Sequence, residues 1–262
     1  MSFSNKELFT GTAEYYSKFR IEYPKHLLDM ILKFYQIDCK ENLLDLGCGT
    51  GQLSIPLHKC FEQVIGIDIN EEMVNEARRI RLEKNAHNIR FITMESEKID
   101  SKLGQFDLIL CGNAFHWMDR ELVLNKSYDI LKPSGGMVIL AGGSVWTGKK
   151  LWQKETLKII KKWLGEKRKA GKGEYPTKNK LHEEYIQESK FHLMKKGDYK
   201  FIYEWNIENL IGYLYSTSFC NKRLLGENID TFENELKETL LSINSKGIFE
   251  EEVAITFFFL KK

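Results

Sequence analysis

Residues 43–70 read LLDLGCGTGQLSIPLHKCFEQVIGIDIN, and this stretch decides the fold. Leu43, Leu44 and Leu46 form an apolar run short enough for a buried strand. It ends at Gly47-Cys48-Gly49-Thr50-Gly51, with glycine at every second position. Glycine tolerates positive φ and lets a ligand approach the backbone. Gln52 to Lys59 has Leu53, Leu57 and Cys60 at helical spacing, and Val64-Ile65-Gly66-Ile67 is a second apolar strand ending at Asp68. Two parallel strands joined by a helix, with a glycine turn after the first and an acid after the second, make a nucleotide-binding βαβ unit.

A dinucleotide fingerprint needs G-x-G-x-x-G. Gly47 and Gly49 fit it, but the third position is Gln52. Asp45 stands two residues before the turn. A carboxylate beside a pyrophosphate is repelled in a partly desolvated site, whereas a cationic ligand is attracted. S-adenosylmethionine carries a sulfonium and an ammonium and no phosphate. Asp68, about twenty residues beyond the first glycine, can accept hydrogen bonds from both ribose hydroxyls. These residues favour S-adenosylmethionine over NAD.

DLGCGTG followed by GIDIN resembles the first two motifs of class I S-adenosylmethionine-dependent methyltransferases. Met94-Glu95-Ser96-Glu97 resembles the turn after their third strand, FDLILCGNAFHWMD their fourth strand and active-site loop, and LKPSGGMVIL the turn into the fifth strand. An N-terminal Tyr-rich segment ending in Arg20-x-x-Tyr23-Pro24, with Tyr213, Ser216 and Ser218 on a late helix, is similar to small-molecule enzymes of the trans-aconitate methyltransferase kind. The resemblance covers nearly the whole chain. It implies an α/β fold: a Rossmann-like, doubly wound, seven-stranded, mostly parallel sheet with helices on both faces, plus a helical lid or insert subdomain. It implies S-adenosylmethionine as cofactor, S-adenosylhomocysteine as product, and in-line transfer of the methyl group to a small-molecule acceptor, a carboxylate among the candidates.

The same resemblance implies site residues. Asp45, Gly47, Gly49, Gly51 and Asp68 surround the cofactor, and Ile69 lies against the adenine face. Glu95 and Ser96 hold the adenine edge, although family members usually have Asp then Ala there. Arg20 meets the methionine carboxylate, which a guanidinium can grip through two parallel hydrogen bonds, and Tyr15 lies near it. Asn113 bonds near the cofactor. His116, the only histidine in the predicted site, is the candidate general base. Trp117 and Tyr213, with His116, border the acceptor pocket. Each has an ordinary alternative: core packing for Trp117, Tyr213 and Ile69, a backbone-satisfied histidine for His116, and an exposed acidic turn for Glu95.

Around this centre the chain reads in four parts. Residues 1–35 form an aromatic-rich lid segment, with Phe3, Phe9, Tyr15, Tyr16, Phe19 and Tyr23, and then a helix over Lys25–Tyr35. Residues 36–145 are the cofactor-binding core, with helices over Glu71–Asn85 (Asn70 as N-cap) and Arg120–Leu131, a turn at Pro133–Gly136 and a strand over Met137–Ala141. Residues 146–195 are a basic helical insert that caps the acceptor, entered at Gly142-Gly143-Ser144 and containing a connection over Lys167–Lys180 and a second helix near Lys178–Lys190. Residues 196–262 complete the sheet, with strands over Tyr199–Trp205 and Val253–Leu260 and helices over Ile207–Ser216 and Asp230–Ile243.

Composition bounds the rest. The 262 residues suit one α/β domain with an inserted or appended subdomain, and the 42% hydrophobic content suits a real core. No run approaches 18 apolar residues, so no membrane span is expected, and MSFSNKELF lacks a secretory pattern. Five scattered cysteines without a C-x-x-C pair indicate neither a disulfide framework nor a metal cluster, and a reducing cytoplasm is expected. The net charge is +2, but Lys149–Lys180 holds twelve Lys/Arg against three Glu. That block raises a rival function, methylation or binding of nucleic acid, against a solvated helix face backed by Leu151, Trp152, Ile159, Ile160, Trp163 and Leu164. The fourth-strand loop lacks an Asn-Pro-Pro-Tyr sequence, which disfavours amino-base methylation. A non-catalytic cofactor-binding protein is the other alternative. Oligomeric state is not legible.

Overall fold

The computed structural model describes residues 7–143, 145–170, 173–174 and 180–262. Phe3, Ser144, Pro176 and the start of the helix expected near Lys178 lie outside the described residues. By their contacts the residues form two compact units: 22–141, 178–199 and 255–262 in one, and 1–21, 142–177 and 200–254 in the other.

The first unit holds the βαβ stretch. β1 (Asn42–Leu46), β2 (Gln63–Asp68), β3 (Ile89–Thr93), β4 (Phe106–Gly112) and β5 (Leu131–Gly142) run parallel. β8 (His192–Asn206) and β9 (Ile248–Lys261) complete a seven-stranded sheet in the order β3-β2-β1-β4-β5-β9-β8. The Lys262 N–H donates to the Gly135 carbonyl, so β9 ends where β5 begins and runs antiparallel to it. The sheet is mixed, mostly parallel, with helices on both sides.

Alternation along the strands sets the two faces. Leu44, Leu46, Ile65, Ile67, Ile109, Cys111, Met137 and Ile139 pack with Val123, Leu124 and Ile130 of α5 (Arg120–Ile130) and Ile186 of α7 (His182–Gln187). On the other face α2 (Lys25–Tyr35) sends the Tyr35 hydroxyl to the carbonyls of Met137 and Leu260, and Phe34 packs on Phe259 at 4.9 Å. α4 (Glu71–Glu83) starts at Asn70, whose side chain accepts the Met73 N–H, as its position before the helix leads one to expect.

Five elements differ from their sequence outline, among them α7, which spans only His182–Gln187 of the helix expected near Lys178–Lys190. The helix expected over Gln52–Lys59 is α3 (Ser54–Leu57) followed by one 3-10 turn, His58–Cys60. Pro56 has no N–H to donate to the Gln52 carbonyl, so that helical bond cannot form, and Asp45 accepts the Ser54 N–H at the head of the shorter helix. The expected turn at Pro133–Gly136 lies inside β5 as a bulge: Phe106 pairs with Leu131, but Leu108 pairs with Gly136. β8 and β9 are longer than Tyr199–Trp205 and Val253–Leu260. Their charged residues face one another, with Asp198 accepting from Thr256 at 2.7 Å and Lys200 meeting Glu252 at 3.1 Å, so polar positions do not end the strands.

The second unit is built on α1 (Ala13–Phe19), α6 (Leu151–Leu164), α8 (Ile207–Tyr215), α9 (Lys222–Leu225) and α10 (Ile229–Ile243), with a two-residue ribbon, β6 (Lys169–Ala170) and β7 (Gly173–Glu174). Its core gathers Trp152, Ile159, Ile160, Trp205, Leu210, Leu214, Phe232 and Leu236. Leu151, expected on the apolar face of α6, is instead exposed. Among the described residues no helix is long and apolar enough to cross a membrane.

Candidate active site

The glycine turn follows β1 and is tied to the end of β2. The Cys48 N–H donates to the Ile67 carbonyl at 2.9 Å, and the Gly49 N–H donates to Asp68 Oδ2 at 2.9 Å. Asp68 Oδ1 accepts the Asn70 N–H at 2.8 Å. One carboxylate thus joins the turn to the head of α4. Gly47, Gly49 and Gly51 have φ of +64°, +52° and +87°, a region that side chains with a Cβ avoid. At Gly47 an added Cβ would stand 2.4 Å from the Ala114 Cβ, so the turn fits closely under the loop that follows β4.

Asp45 is buried in β1 beside Gly66 of β2 and Leu110 of β4. Its Oδ2 accepts the Ser54 hydroxyl at 2.5 Å and the Ser54 N–H at 3.2 Å. Burial pushes its carboxyl up to about 7, and the nearby negative Asp68 adds to the rise. Burial also raises Asp68, against the lowering effect of the Asn70, Gly49 and Ile69 backbone N–H groups. The hydrogen bonds on the two carboxylates come from backbone N–H groups and the Ser54 hydroxyl, with no lysine or arginine among them. The Cys48 thiol, buried beside both acids, is held well above its ordinary pKa and stays protonated.

The loop after β4 is fixed at both ends. The Asn113 N–H extends the ladder to the Leu140 carbonyl at 2.8 Å, and Asn113 itself has a φ of +53°. Its amide donates to the Tyr23 hydroxyl at 3.2 Å, which lies where a Gly112 Cβ would be. Phe115–Trp117 is a 3-10 turn with Phe115 buried. His116 and Trp117 are half-buried, with ring centroids 4.7 Å apart. At the far end Glu97 accepts the Asp119 N–H, and Asp119 caps α5.

Residues 43–135 match a family model described as a methyltransferase domain. The chain is 32% identical over 126 residues to the probable S-adenosylmethionine-dependent methyltransferase CRG1 of Saccharomyces cerevisiae, covering 46% of this chain and 42% of that one. It is 25% identical over 240 residues to a putative methyltransferase of Dictyostelium discoideum, covering 89% and 84%. The crystal structure of YcgJ from Bacillus subtilis aligns with a TM-score of 0.57 at 17% identity, over 91% of this chain and 99% of that one. Residues 43–135 are thus a methyltransferase domain of the kind found in S-adenosylmethionine-dependent enzymes. It spans under half the length of the yeast relative and most of the Dictyostelium one.

The cofactor of this methyltransferase class fits the residues present. A turn with glycine at 47, 49 and 51 and two acids with no basic hydrogen-bond partner among the described residues suit a ligand that is cationic and lacks phosphate. Asp45, Gly47, Gly49, Gly51, Asp68, Ile69, Glu95, Ser96, Asn113, His116 and Trp117 all lie in the sheet unit. Ile69 is half-buried, and Ser96 is buried in a 3-10 turn whose preceding Glu95 is paired with Lys98 at 3.1 Å. Tyr15, Arg20 and Tyr213 belong to the helical unit. There Arg20 donates to the Ser216 carbonyl at 3.1 Å, its guanidinium stands 4.5 Å from the Tyr16 ring centre and 5.2 Å from that of Tyr213, and its Nε is buried without a partner. Tyr15 stacks on Phe19 and meets the edge of Tyr215.

Two residues at the site had no role assigned to them from the sequence. Tyr23 supports Asn113, and Ser54 carries both hydrogen bonds to Asp45. Tyr23 had a signal: it stands in the Arg20-x-x-Tyr23-Pro24 segment, and the following proline biases its backbone to an extended form. Ser54, nine residues beyond Asp45, had none.

Proposed function

We propose that this methyltransferase moves the methyl group of S-adenosylmethionine to a small-molecule acceptor. The observation that carries this is that buried Asp45 and half-buried Asp68 flank a turn with glycine at every second position, and that among the described residues no lysine or arginine is hydrogen-bonded to either acid. S-adenosylmethionine supplies a methyl carbon already activated by a positive sulfur, so alignment and exclusion of water are the protein's main tasks. Asp68 would hold the ribose hydroxyls while fixing the turn through Gly49. Asp45 would favour the cationic end. Glu95 and Ser96 would meet the adenine edge, and Asn113, held in its left-handed backbone by Tyr23, would face the cofactor. Arg20 and Tyr15 are assigned to the methionine carboxylate, and residues 146–195 to capping the acceptor.

Calorimetry tests the cofactor. Wild-type protein is expected to bind S-adenosylmethionine and S-adenosylhomocysteine but not NAD, and Asp68→Ala to weaken both at least tenfold. Equal or tighter binding of NAD would overturn the assignment.

His116 is proposed as the base for a hydroxyl or amine acceptor, with Trp117 and Tyr213 at the acceptor's side. A carboxylate acceptor, implied by the resemblance to trans-aconitate methyltransferase, needs no base. His116→Ala is expected to lower kcat at least tenfold with S-adenosylmethionine affinity unchanged, within the range general bases contribute. Unchanged turnover would remove His116 from catalysis.

The basic block supports a small molecule over nucleic acid. Lys158, Lys161 and Lys162 on α6 pair with Glu155, Glu166 and Glu235 at 2.6, 3.0 and 2.7 Å, as on a solvated helix face. All five cysteines are unpaired, which supports a reducing cytoplasmic setting.

A further inference from the structure

The helical unit has a cavity of about 370 Å³. Trp152, Trp205, Leu210 and Tyr213 give it aromatic and apolar walls, and Gln153 and Glu251 supply its inner polar groups. Glu251 Oε2 accepts the Trp205 indole N–H at 2.7 Å, and Oε1 accepts the Gln153 amide at 2.8 Å. Trp205 and Gln153 are themselves buried, so the carboxylate is held in one orientation. The other charges around the cavity are exposed and partly spent. Lys149 and Lys150 are exposed, with the Lys150 ammonium donating to the Glu250 carbonyl at 2.5 Å, and Glu252 is paired with Lys200. Glu251 is therefore the charge that the cavity presents inside. Burial raises its carboxyl above the ordinary range, while Trp205, Gln153 and Lys150 pull it back.

A half-buried carboxylate held by neutral donors attracts a cation more strongly than it would in water. Aromatic faces add to that preference.

We propose that this cavity is a binding site for a small organic amine, held as its ammonium by Glu251 between aromatic walls. A cavity of this size suits an arylalkylamine of roughly ten heavy atoms. Tyr213 and the segment carrying Trp152 and Gln153 are those assigned above to the acceptor's side, so the site rests on that reading and names a ligand class for it.

Three probes of matched size test it by calorimetry at pH 8: tyramine, the neutral tyrosol and the anionic 4-hydroxyphenylacetate. Tyramine is expected to bind at least tenfold more tightly than either of the others. Glu251→Gln should cost tyramine at least tenfold and leave tyrosol within twofold, while Glu252→Gln at the rim changes neither by more than twofold. A thermal midpoint close to wild type shows that Glu251→Gln is folded; if it is not, the wild-type probe series alone decides. No tyramine binding, equal binding of all three, preference for the acid, or tyramine binding unaffected in a folded Glu251→Gln protein would each overturn the proposal. S-adenosylhomocysteine binding, measured in parallel, reports on the cofactor reading alone.

Discussion

Asp45→Asn is expected to make the ligand-free protein more stable at pH 8 by about 2–3 kcal/mol, and to weaken S-adenosylmethionine binding about 100-fold. The folded carboxyl is pushed up to about 7, whereas an unfolded aspartate titrates near 3.9. Below pH 4 it is neutral in both states, and burial costs nothing through its charge. Between pH 4 and 7 the unfolded chain releases the proton and the folded protein keeps it, so stability falls by up to about 1.4 kcal/mol per pH unit. Above pH 7 the loss levels off near about 4 kcal/mol. Asparagine does not titrate, so this loss disappears. It still accepts from Ser54, but hydrogen bonds to a neutral acceptor are weaker by about 1 kcal/mol. Urea unfolding at pH 5 and pH 8 reads the effect: the variant's advantage should grow with pH. A variant less stable than wild type at both values, by the same amount, would make Asp45 an anchor for Ser54 and no more. A stabilising change that removes binding is what a charge kept for its ligand predicts.

The central βαβ unit was legible because its pattern is local. Apolar strands of five or six residues, three alternating glycines and an acid at a strand end are visible within 28 residues. What escaped depends on partners far along the chain. β8 and β9 extend through charged residues because those residues pair across the strands. Glu251 stands in a run of three glutamates that reads as solvent-facing sequence. Only Trp205 and Gln153, 46 and 98 residues away, distinguish it from its neighbours. α1 is seven residues long, and a helix so short carries too little periodicity to be recognised. Asn113 shows the limit for the site: the sequence names it, but its left-handed backbone and its bond to Tyr23 follow from the fold.

Gly47→Ala is expected to cost about 3 kcal/mol or more of stability and to abolish S-adenosylmethionine binding. Two separate penalties meet there. A φ of +64° costs a residue with a Cβ about 1–2 kcal/mol. The new methyl would stand 2.4 Å from the Ala114 Cβ and 3.1 Å from Met118 Cε, and overpacking of this kind costs about 1–3 kcal/mol. For a chain of this size a 3 kcal/mol loss lowers the melting midpoint by roughly 6–12 °C. The two penalties separate in a double variant. Ala114→Gly removes the atom in the way but not the backbone strain, so Gly47→Ala with Ala114→Gly should recover about half of the lost stability. The interaction energy between the sites should therefore be at least about 1 kcal/mol, measurable by urea unfolding of the four proteins. Strict additivity would mean that the turn and the loop after β4 do not constrain each other. Coupling would mean that the turn holding the cofactor and the loop carrying Asn113, His116 and Trp117 are shaped by one contact, so that a change in either moves both.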